Sequence, residues 1–469
     1  MPKKFEVIIQ GGRVVLPHGV EKVDIGIQGG VITAIAPELH ADEATLLYSA
    51  EDQLVFPGVV DAHVHFNEPG LAEWEGFMTG SAALAAGGIT TYIDMPLNGV
   101  PPTTTKHGWE SKMSAAAGKS YVDYAFWGGL VPNNEGELRF LAQAGAAGFK
   151  AFMSEPGGEG DEIFTRTDDK ALIRGMSVIA ELGGVLALHA ESNEMTDALA
   201  FARISKGRVE AEDYLASRPP EAEAEAVTRA LIYARETGCR LHFVHISTAR
   251  SVELITEAKL SGLDVTVETC PHYLVLTEED VVSKGAAFKC APPLRSKQEQ
   301  DLLWEALLSG SIDMIASDHS PCPPSMKDTD HFFQIWGGIA GAQSTLLLML
   351  EEAYLKRNAP LPLLASLLAA EPARRFGLDL CKGEIALGKD ADFAIVSMNE
   401  SYTLTQEEIR YRHPISPYMD RTFSCKIKAT FSRGIQIYDD LHGLINQRLG
   451  RFIPSVQSKV LTEGGDVYV

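Results

Sequence analysis

The stretch Leu54-Val-Phe-Pro-Gly-Val-Val-Asp-Ala-His-Val-His65 joins an apolar run to two histidines that are separated by one residue. Alternate side chains of a β-strand point to the same face, so the imidazoles of His63 and His65 project together. Imidazole is a common metal ligand near neutral pH, and two on one face make half of a metal site. A structural role explains such a pair equally well, so its meaning depends on the other ionisable groups.

The composition is that of an ordinary globular protein with a negative net charge. The chain has 469 residues, of which 45% are hydrophobic and 22% charged, and its net charge is −22. That charge argues against nucleic acid or an anionic membrane as a partner. The sequence shows no signal-peptide pattern, no membrane-length apolar run and no Cys-x-x-Cys among its six cysteines. We therefore expect a cytoplasmic protein with reduced thiols.

From Val55 onward, short apolar runs alternate with stretches of helical period. Eight buried strands with helical crossovers predict an α/β fold, a (β/α)8 TIM barrel, with an open doubly wound sheet as the alternative. The predicted strands are Val59–His65, Thr90–Met95, Val122–Trp127, Gly148–Met153, Val185–His189, Leu241–His245, Asp264–Glu268 and Asp313–Ala316. The predicted helices between them are Gly80–Ala86, Glu135–Gln143, Lys170–Leu182, Glu221–Glu236, Thr248–Leu260 and Lys297–Leu308.

Both ends of the chain have the sequence pattern that is typical of a small β domain. Short β-branched runs bounded by Gly or Pro fill residues 5–55, and similar runs follow the helical segment Pro362–Arg375, at 383–388, 390–396 and 424–437. The two ends are expected to pair into one β-sandwich. The predicted domains are therefore 1–55 and 381–469, which build the small β domain and a tail, and 56–380, which forms the barrel.

In a barrel of this kind the active site lies at the carboxyl ends of the strands. Five of the eight predicted strands end in, or carry, a group that binds metal or moves protons. These groups are His63 with His65, Lys150, His189, His245 and Asp318. Taken singly, each has an ordinary structural explanation, such as a helix cap for Asp318. Their joint occurrence at strand ends indicates a metal centre.

Two of these assignments rest on further arguments. His242 and His245 are three apart on a strand and face opposite sides, and we expect the strand-terminal His245 to be the inward one. Lys150 has apolar neighbours, and burying an ammonium without a partner is costly. Four imidazoles and one carboxylate suffice for two zinc-like ions. A bridging anion is missing, since an ammonium has no lone pair to offer.

The motifs that carry these groups resemble those of the cyclic amidases of the amidohydrolase superfamily, in order and spacing along essentially the whole chain. They are Asp61-Ala-His-Val-His-Phe-Asn-Glu-Pro-Gly, Phe149-Lys-Ala-Phe, His189-Ala-Glu, His245-Ile-Ser, Ser317-Asp-His-Ser-Pro and Gly383-x-Ile…Gly388-Lys-Asp-Ala-Asp-Phe. Within that group the chain is most similar to the allantoinase family, through Glu73-Trp-Glu-Gly-Phe, Gly88-Ile-Thr-Thr-Tyr-Ile-Asp-Met-Pro-Leu-Asn, Pro101-Pro-Thr-Thr-Thr and His413-Pro-Ile-Ser-Pro-Tyr.

The resemblance implies a binuclear centre with a modified lysine. Lys150 would be carboxylated by CO2 to a carbamate that bridges two divalent ions, zinc first, with cobalt, manganese or iron as alternatives. His63, His65 and Asp318 would hold one ion, and His189 and His245 the other. The resemblance also implies a homotetramer.

Two departures from related families narrow the expected substrate. Dihydroorotases carry an Arg after the His-x-His motif, whereas Asn67 here cannot make that bidentate contact with an anion. Hydantoinases and dihydropyrimidinases place a Tyr shortly after the lysine, whereas this chain has Met153-Ser-Glu-Pro-Gly. The sequence does not decide whether a metal ion or a backbone N–H donor stabilises the oxyanion. The alternatives to the function given in the next paragraph are a dihydroorotase-like enzyme, a hydantoinase or dihydropyrimidinase, and a metal-free scaffold protein.

The main hypothesis is opening of the hydantoin ring of allantoin to allantoate, a step of purine catabolism. A bridging hydroxide would attack the ring carbonyl, polarised by one metal, and Asp318 would serve as general base and then acid. The candidates for contacts with the substrate ring are the following residues: Asn98, Ala291, Ser320 and Gly337.

Overall fold

The computed structural model describes residues 3–157 and 163–456 as a strand-rich module at both chain ends around an alternating α/β segment. Its strands are β1 (Phe5–Gln10), β2 (Arg13–Leu16), β3 (Gly19–Lys22), β4 (Asp24–Gln28), β5 (Val31–Ala36), β6 (Ala44–Ser49), β7 (Leu54–Pro57), β8 (Val59–Val64), β9 (Ile89–Asp94), β10 (Asp123–Phe126), β11 (Gly128–Gly129), β12 (Phe149–Phe152), β13 (Val185–His189), β14 (Arg240–Phe243), β15 (Val265–Thr269), β16 (Met314–Ile315), β17 (Phe393–Ser397), β18 (Tyr402–Thr403), β19 (Thr422–Phe423), β20 (Lys426–Ser432), β21 (Ile435–Asp439) and β22 (Gly443–Leu444).

The helices fall mostly between the strands of the α/β segment. They are α1 (Phe77–Ala86), α2 (Lys106–Ala116), α3 (Glu135–Gln143), α4 (Asp169–Glu181), α5 (Asn193–Ile204), α6 (Ala211–Leu215), α7 (Pro220–Thr237), α8 (Ala249–Leu260), α9 (Pro271–Val275), α10 (Glu278–Lys284), α11 (Lys297–Leu308), α12 (Thr345–Met349), α13 (Leu361–Ala365) and α14 (Glu371–Arg375). None of the helices in the described ranges has the length and apolarity needed to cross a membrane.

Local sequence accounts for where several helices begin and end. The side chains of Thr105 and Asp168 accept hydrogen bonds from backbone N–H groups in the first turns of α2 and α4. Helix α7 begins at Pro220, whose missing N–H costs nothing in a first turn, and is capped after Thr237 by Gly238, which adopts a φ of 70°. These signals keep the connections to the strands short.

The strands of the α/β segment are parallel and follow chain order. Strands β8, β9 and β10 form one sheet, and β11 to β16 form a second. Trp127 alone separates β10 from β11. At the other end, a parallel bridge joins Val64 of β8 to His319, which follows β16, and the His65 N–H donates to the His319 carbonyl at 2.8 Å. The order therefore runs from β8 to β16 and returns to β8.

The residues of β8 pack into two different cores, as expected of a strand that is buried on both faces. Val60 and Ala62 belong to one apolar cluster, which includes Trp127, whereas Val59 and Val64 belong to the larger cluster that the helices cover. The register between β8 and β9 shifts between Asp61 and Val64. Each of the eight predicted strands overlaps an observed strand, and the α/β class is confirmed.

The strand-rich module contains two sheets that share one apolar core. One sheet has the order β5-β4-β1-β6 and the other β22-β21-β20-β17-β7-β2-β3. Ile25 of the first sheet and Phe393 and Phe431 of the second lie in the same cluster. Strand β17 pairs antiparallel with β7, so the expectation that the two chain ends pair is confirmed.

Some predicted elements were wrong or missing. Residues 383–388 form turns rather than a strand, because Gly383 and Gly388 adopt φ values of 95° and 86°. Strands β3 and β6 were not predicted, since most of their residues are polar or exposed. The sequence prediction also placed no helix at α2 or α5. Both helices contain many polar residues, which weaken the helical period of their apolar residues.

Candidate metal centre

A cavity of about 430 Å³ lies at the carboxyl ends of the parallel strands. Imidazoles and a carboxylate line it on one side, and residues of the segment 326–337 line it on another. Its ionisable lining residues include His63, His65, His189, His245 and Asp318. The cavity is thus where the predicted ligands meet.

His63, His65 and Asp318 form the first group. Asp318 Oδ1 lies 3.2 Å from His63 Nε2 and 3.3 Å from His65 Nε2. One potential ligand atom from each residue lies within 4.8 Å of the other two, and all three residues are buried. Burial lowers the pKa of His65 to about 4, while burial of Asp318 is outweighed by both imidazoles, which lower its pKa to about 2. Neutral imidazoles and an ionised carboxylate are the forms that bind a divalent cation.

His189 and His245 form the second group. His189 Nδ1 lies 3.1 Å from His245 Nε2, and the ring of His245 lies 5.4 Å from that of His63. Burial is the largest cause that lowers the pKa of both rings. His245 Nδ1 is buried without a hydrogen-bond partner. The two ring nitrogens that face each other, His189 Nδ1 and His245 Nε2, are the atoms placed to hold a metal ion.

His245 departs from regular strand geometry. Strand β14 ends at Phe243, and His245 adopts a left-handed φ of 39°. As predicted, His245 reaches the cavity, but His242 does not face away from the site. Its Nε2 lies 3.3 Å from Glu268 Oε2 and its Nδ1 lies 2.9 Å from Thr266 Oγ1. The simple alternation expected for the two histidines is wrong, because the backbone turns between them.

Lys150 is close enough to influence the charge of both groups, and its ammonium has no hydrogen-bond partner. The side chain is fully buried, its Nζ has no hydrogen-bond partner, and Nζ lies 5.0 Å from the centroid of the Phe152 ring. Burial lowers the pKa of Lys150 to about 7. Its charge in turn contributes to lowering the pKa of His65 in the first group and of His189 and His245 in the second. Lys150 is therefore placed to interact with both groups.

Glu268, at the end of β15, is a residue that the sequence analysis missed. Its Oε1 lies 2.9 Å from His63 Nδ1 and accepts the His245 backbone N–H at 3.1 Å. Burial would raise the pKa of this carboxyl group, but His63 and His242 lower it well below its usual range. The signal was present, since the predicted strand Asp264–Glu268 ends in a carboxylate like the strands that carry predicted ligands.

A second carboxylate, Glu191, supports His189. Glu191 Oε2 lies 2.8 Å from His189 Nε2, and Arg218 donates to both Glu191 oxygens. Arg218 and His189 outweigh burial and hold the pKa of Glu191 well below its usual range. A carboxylate on the outer nitrogen of a histidine fixes the ring orientation and leaves the other nitrogen for a metal.

The four predicted substrate contacts all line the cavity, and they are Asn98, Ala291, Ser320 and Gly337. Asn98 Nδ2 lies 3.5 Å from His65 Nδ1, and Asn98 adopts a φ of 56°. Asn67, which narrowed the substrate in the sequence analysis, is not among the residues that line the cavity. It is buried with a φ of 63°, and its Nδ2 donates to the Pro321 carbonyl at 3.4 Å.

The sequence profile of the amidohydrolase family matches residues 54–437. The chain belongs to the amidohydrolase family. An allantoinase from Rubrobacter xylanophilus is 47% identical to this amidohydrolase, over 97% of this chain and 99% of that protein. An allantoinase from Bacillus velezensis is 49% identical, over 93% of this chain and 94% of that protein. The predicted membership of this superfamily and the similarity to allantoinases are confirmed.

Solved structures of related amidohydrolases have the same fold. An L-hydantoinase (dihydropyrimidinase) from Arthrobacter aurescens superposes with a TM-score of 0.92 at 34% identity and covers 96% of this chain and 100% of that chain. A D-hydantoinase from Thermus sp. superposes with a TM-score of 0.89 at 26% identity. The chain is thus a hydrolase of the group that acts on cyclic amides, as the sequence predicted.

Proposed function

We propose that this amidohydrolase opens the hydantoin ring of allantoin to give allantoate. The observation that carries the proposal is the match to allantoinases at 41–49% identity over most of the chain. The cavity chemistry agrees with it, because histidines and a carboxylate face a space suited to a small cyclic amide. Purine catabolism is the corresponding role.

The residues of the cavity fit two divalent metal ions. His63, His65 and Asp318 would hold one ion, and His189 and His245 the other. Lys150, as a carbamate formed with CO2, would bridge them, which explains a buried Nζ without a partner. When bound, two such ions activate a water molecule and polarise a carbonyl group. Zinc is our first choice for a nitrogen and oxygen ligand set, followed by cobalt, manganese and iron.

Asp318 is the proposed catalytic residue of the chain itself. Its carboxylate accepts the proton of the attacking water and returns it to the ring nitrogen that leaves as the C–N bond breaks. One new C–O bond replaces the broken C–N bond, so atoms balance with water as the only co-reactant. The side chains of Asn98 and Ser320 and the backbone at Ala291 and Gly337 are proposed to orient the ring through hydrogen bonds.

The proposed architecture is a closed (β/α)8 barrel with a β-sandwich. The bridge between Val64 and His319 and the shared core of the two terminal sheets support it. We propose residues 56–380 as the barrel and residues 1–55 and 381–469 as the two parts of the small domain and tail. We also propose that the protein is a homotetramer and that it is cytoplasmic. The six cysteines, which form no disulfide in the described residues, agree with a reducing compartment.

A hydantoinase or dihydropyrimidinase activity is the second candidate, because an L-hydantoinase superposes with a TM-score of 0.92. A substrate panel separates the two. We expect metal-reconstituted protein to hydrolyse allantoin with a higher kcat/KM than dihydrouracil or 5-alkyl hydantoins, with product measured as allantoate. Preferential opening of dihydrouracil or of alkyl hydantoins would contradict the proposal and support the second candidate.

A further inference from the structure

The carboxylate of Glu268 contacts one member of each ligand group of the proposed metal centre. Its Oε1 lies 2.9 Å from His63 Nδ1, in the first ligand group, and accepts the backbone N–H of His245, in the second, at 3.1 Å. Among the described residues, no other carboxylate is recorded with hydrogen bonds to members of both groups. Glu268 is fully buried, so no solvent competes for these bonds.

The contact with His63 decides which ring nitrogen faces the cavity. An ionised carboxylate only accepts hydrogen bonds, so it holds His63 in the form that is protonated on Nδ1. The Nε2 lone pair is then free, and Nε2 is the atom that lies 3.2 Å from Asp318 Oδ1. Without Glu268, His63 would have no group in the described structure that selects this tautomer.

The contact with His245 acts on the backbone. His245 has a left-handed φ of 39°, a conformation that costs free energy for a residue with a side chain. The N–H that points to Glu268 Oε1 helps to hold this turn, which directs the His245 ring toward His189. A carboxylate at this position therefore stabilises the placement of a proposed ligand through its main chain.

The other oxygen of Glu268 is occupied by a histidine that is not a proposed ligand. His242 Nε2 lies 3.3 Å from Oε2, and His242 Nδ1 lies 2.9 Å from the Thr266 hydroxyl. This contact restrains the carboxylate from its far side and leaves Oε1 for the metal centre. The three contacts together account for the burial of a charged group at the end of β15.

We propose that Glu268 is a positioning residue that holds the ligands of both metal ions in register through His63 and the backbone of His245. The inference rests on the proposed binuclear function, and it assigns a role to a residue that is not itself a ligand. Removal of such a supporting group typically lowers metal affinity about 10- to 100-fold.

The test is the substitution Glu268→Gln, which keeps the shape but removes the charge and turns one acceptor into a donor. We expect the zinc concentration that half-restores metal content in the apoprotein, measured by competition with a chelator, to rise about 10- to 100-fold. At saturating zinc, kcat for allantoin should fall while KM changes little, because Glu268 does not line the cavity. The more conservative Glu268→Asp keeps the charge and should recover part of the zinc affinity.

Glu223→Gln is the matched control. Glu223 is also a fully buried carboxylate, and it accepts hydrogen bonds from the Ser247 N–H and hydroxyl and from the Thr248 hydroxyl, not from an imidazole. Loss of this carboxylate should lower thermal stability without raising the zinc concentration that half-restores metal content. Should Glu268→Gln fail to fold, the comparison of Glu268→Asp with wild type serves instead, with an expected loss of zinc affinity of severalfold.

Wild-type zinc affinity in Glu268→Gln, or an equal loss of affinity in Glu223→Gln, would overturn the inference. So would Glu268→Asp binding zinc no better than Glu268→Gln. Failure of the wild-type protein to bind zinc or to hydrolyse allantoin would instead overturn the proposed function on which the inference rests. The two failures are distinguished by the wild-type measurement alone.

Discussion

At the scale of single residues, Asp318 has the largest predicted effect. It is a proposed ligand and the proposed proton carrier, and its Oδ1 contacts two histidines. We expect Asp318→Ala or His63→Ala to lower kcat/KM for allantoin by about 1,000-fold or more, since loss of an acid–base group alone costs 100- to 10,000-fold. Steady-state kinetics and metal analysis of the purified variants measure this.

The control for that substitution is Asp197→Ala, which removes another carboxylate from the same cavity. Its metal content should equal that of the wild type, because Asp197 is not among the proposed ligands. Activity close to wild type in either Asp318→Ala or His63→Ala would contradict the assignment of the site.

The structure brings together the side chains that the sequence analysis selected at strand ends, whereas the sequence analysis missed a residue that lies behind them. These side chains, from His63, His65, His189, His245 and Asp318, line one cavity because the carboxyl ends of neighbouring parallel strands lie at the same edge. The contact of Glu268 with His63 joins two strands that are far apart in the chain, and spacing alone does not reveal it.

At the scale of elements, the segment 326–338 lines the cavity and is held by two lysines, the buried Lys289 and the half-buried Lys327. Lys289 Nζ donates to the carbonyls of Phe332 at 2.7 Å and Ile335 at 2.5 Å. Lys327 Nζ donates to those of Trp336 at 2.8 Å and Gly338 at 2.9 Å. These bonds fix a segment with no regular strand, so the cavity wall depends on them.

We expect Lys289→Met to raise KM for allantoin about tenfold with a smaller change in kcat. A hydrogen bond from a charged group contributes about 1.5–3 kcal/mol, and its loss leaves backbone carbonyls of the cavity wall unpaired. Kinetics and limited proteolysis within 326–338 test this. Lys284→Met, at an exposed lysine paired with Asp280, is the control, and a wild-type KM in Lys289→Met would contradict the account.

Strands were easier to predict than the remaining elements for a physical reason. Strands such as β13 are buried on both faces and therefore appear as uninterrupted apolar runs. Helices such as α5 bury few residues, so their apolar period is weak. The predicted strand at 383–388 failed because two glycines with positive φ turn the chain there.

At the scale of the whole molecule, buried charges join the α/β segment to the strand-rich module. Lys382 Nζ lies 2.7 Å from Asp123 of β10, 2.9 Å from Asp390 and 2.8 Å from Asp392. Arg433 also pairs with Asp123. Burial would raise the pKa of Asp123, but the two cations outweigh it and hold the pKa below the usual value of 3.8.

A lowered pKa in the folded state means that Asp123 stabilises the fold above the usual pKa and loses this contribution as the pH falls through the folded value. We expect Asp123→Asn to lower the free energy of unfolding by about 3 kcal/mol at neutral pH, since it removes the buried carboxylate that pairs with both Lys382 and Arg433. The difference from wild type should shrink below about pH 4. Urea denaturation at several pH values measures it.

Asp301→Asn, at an exposed residue paired with Lys297, provides the comparison and should change stability by less than about 0.5 kcal/mol. If the difference in free energy of unfolding between Asp123→Asn and wild type stays constant from neutral to acid pH, the carboxylate acts by packing rather than by charge.

The central claim is that two metal ions in the cavity support hydrolysis of allantoin. Its most direct test is a zinc titration of the apoprotein in the presence of bicarbonate, with allantoate formation and bound metal measured together. The account predicts that activity is absent in the apoprotein, rises with added zinc and saturates at two ions per chain. Full activity without metal, or two bound ions with no hydrolysis of allantoin, would contradict it.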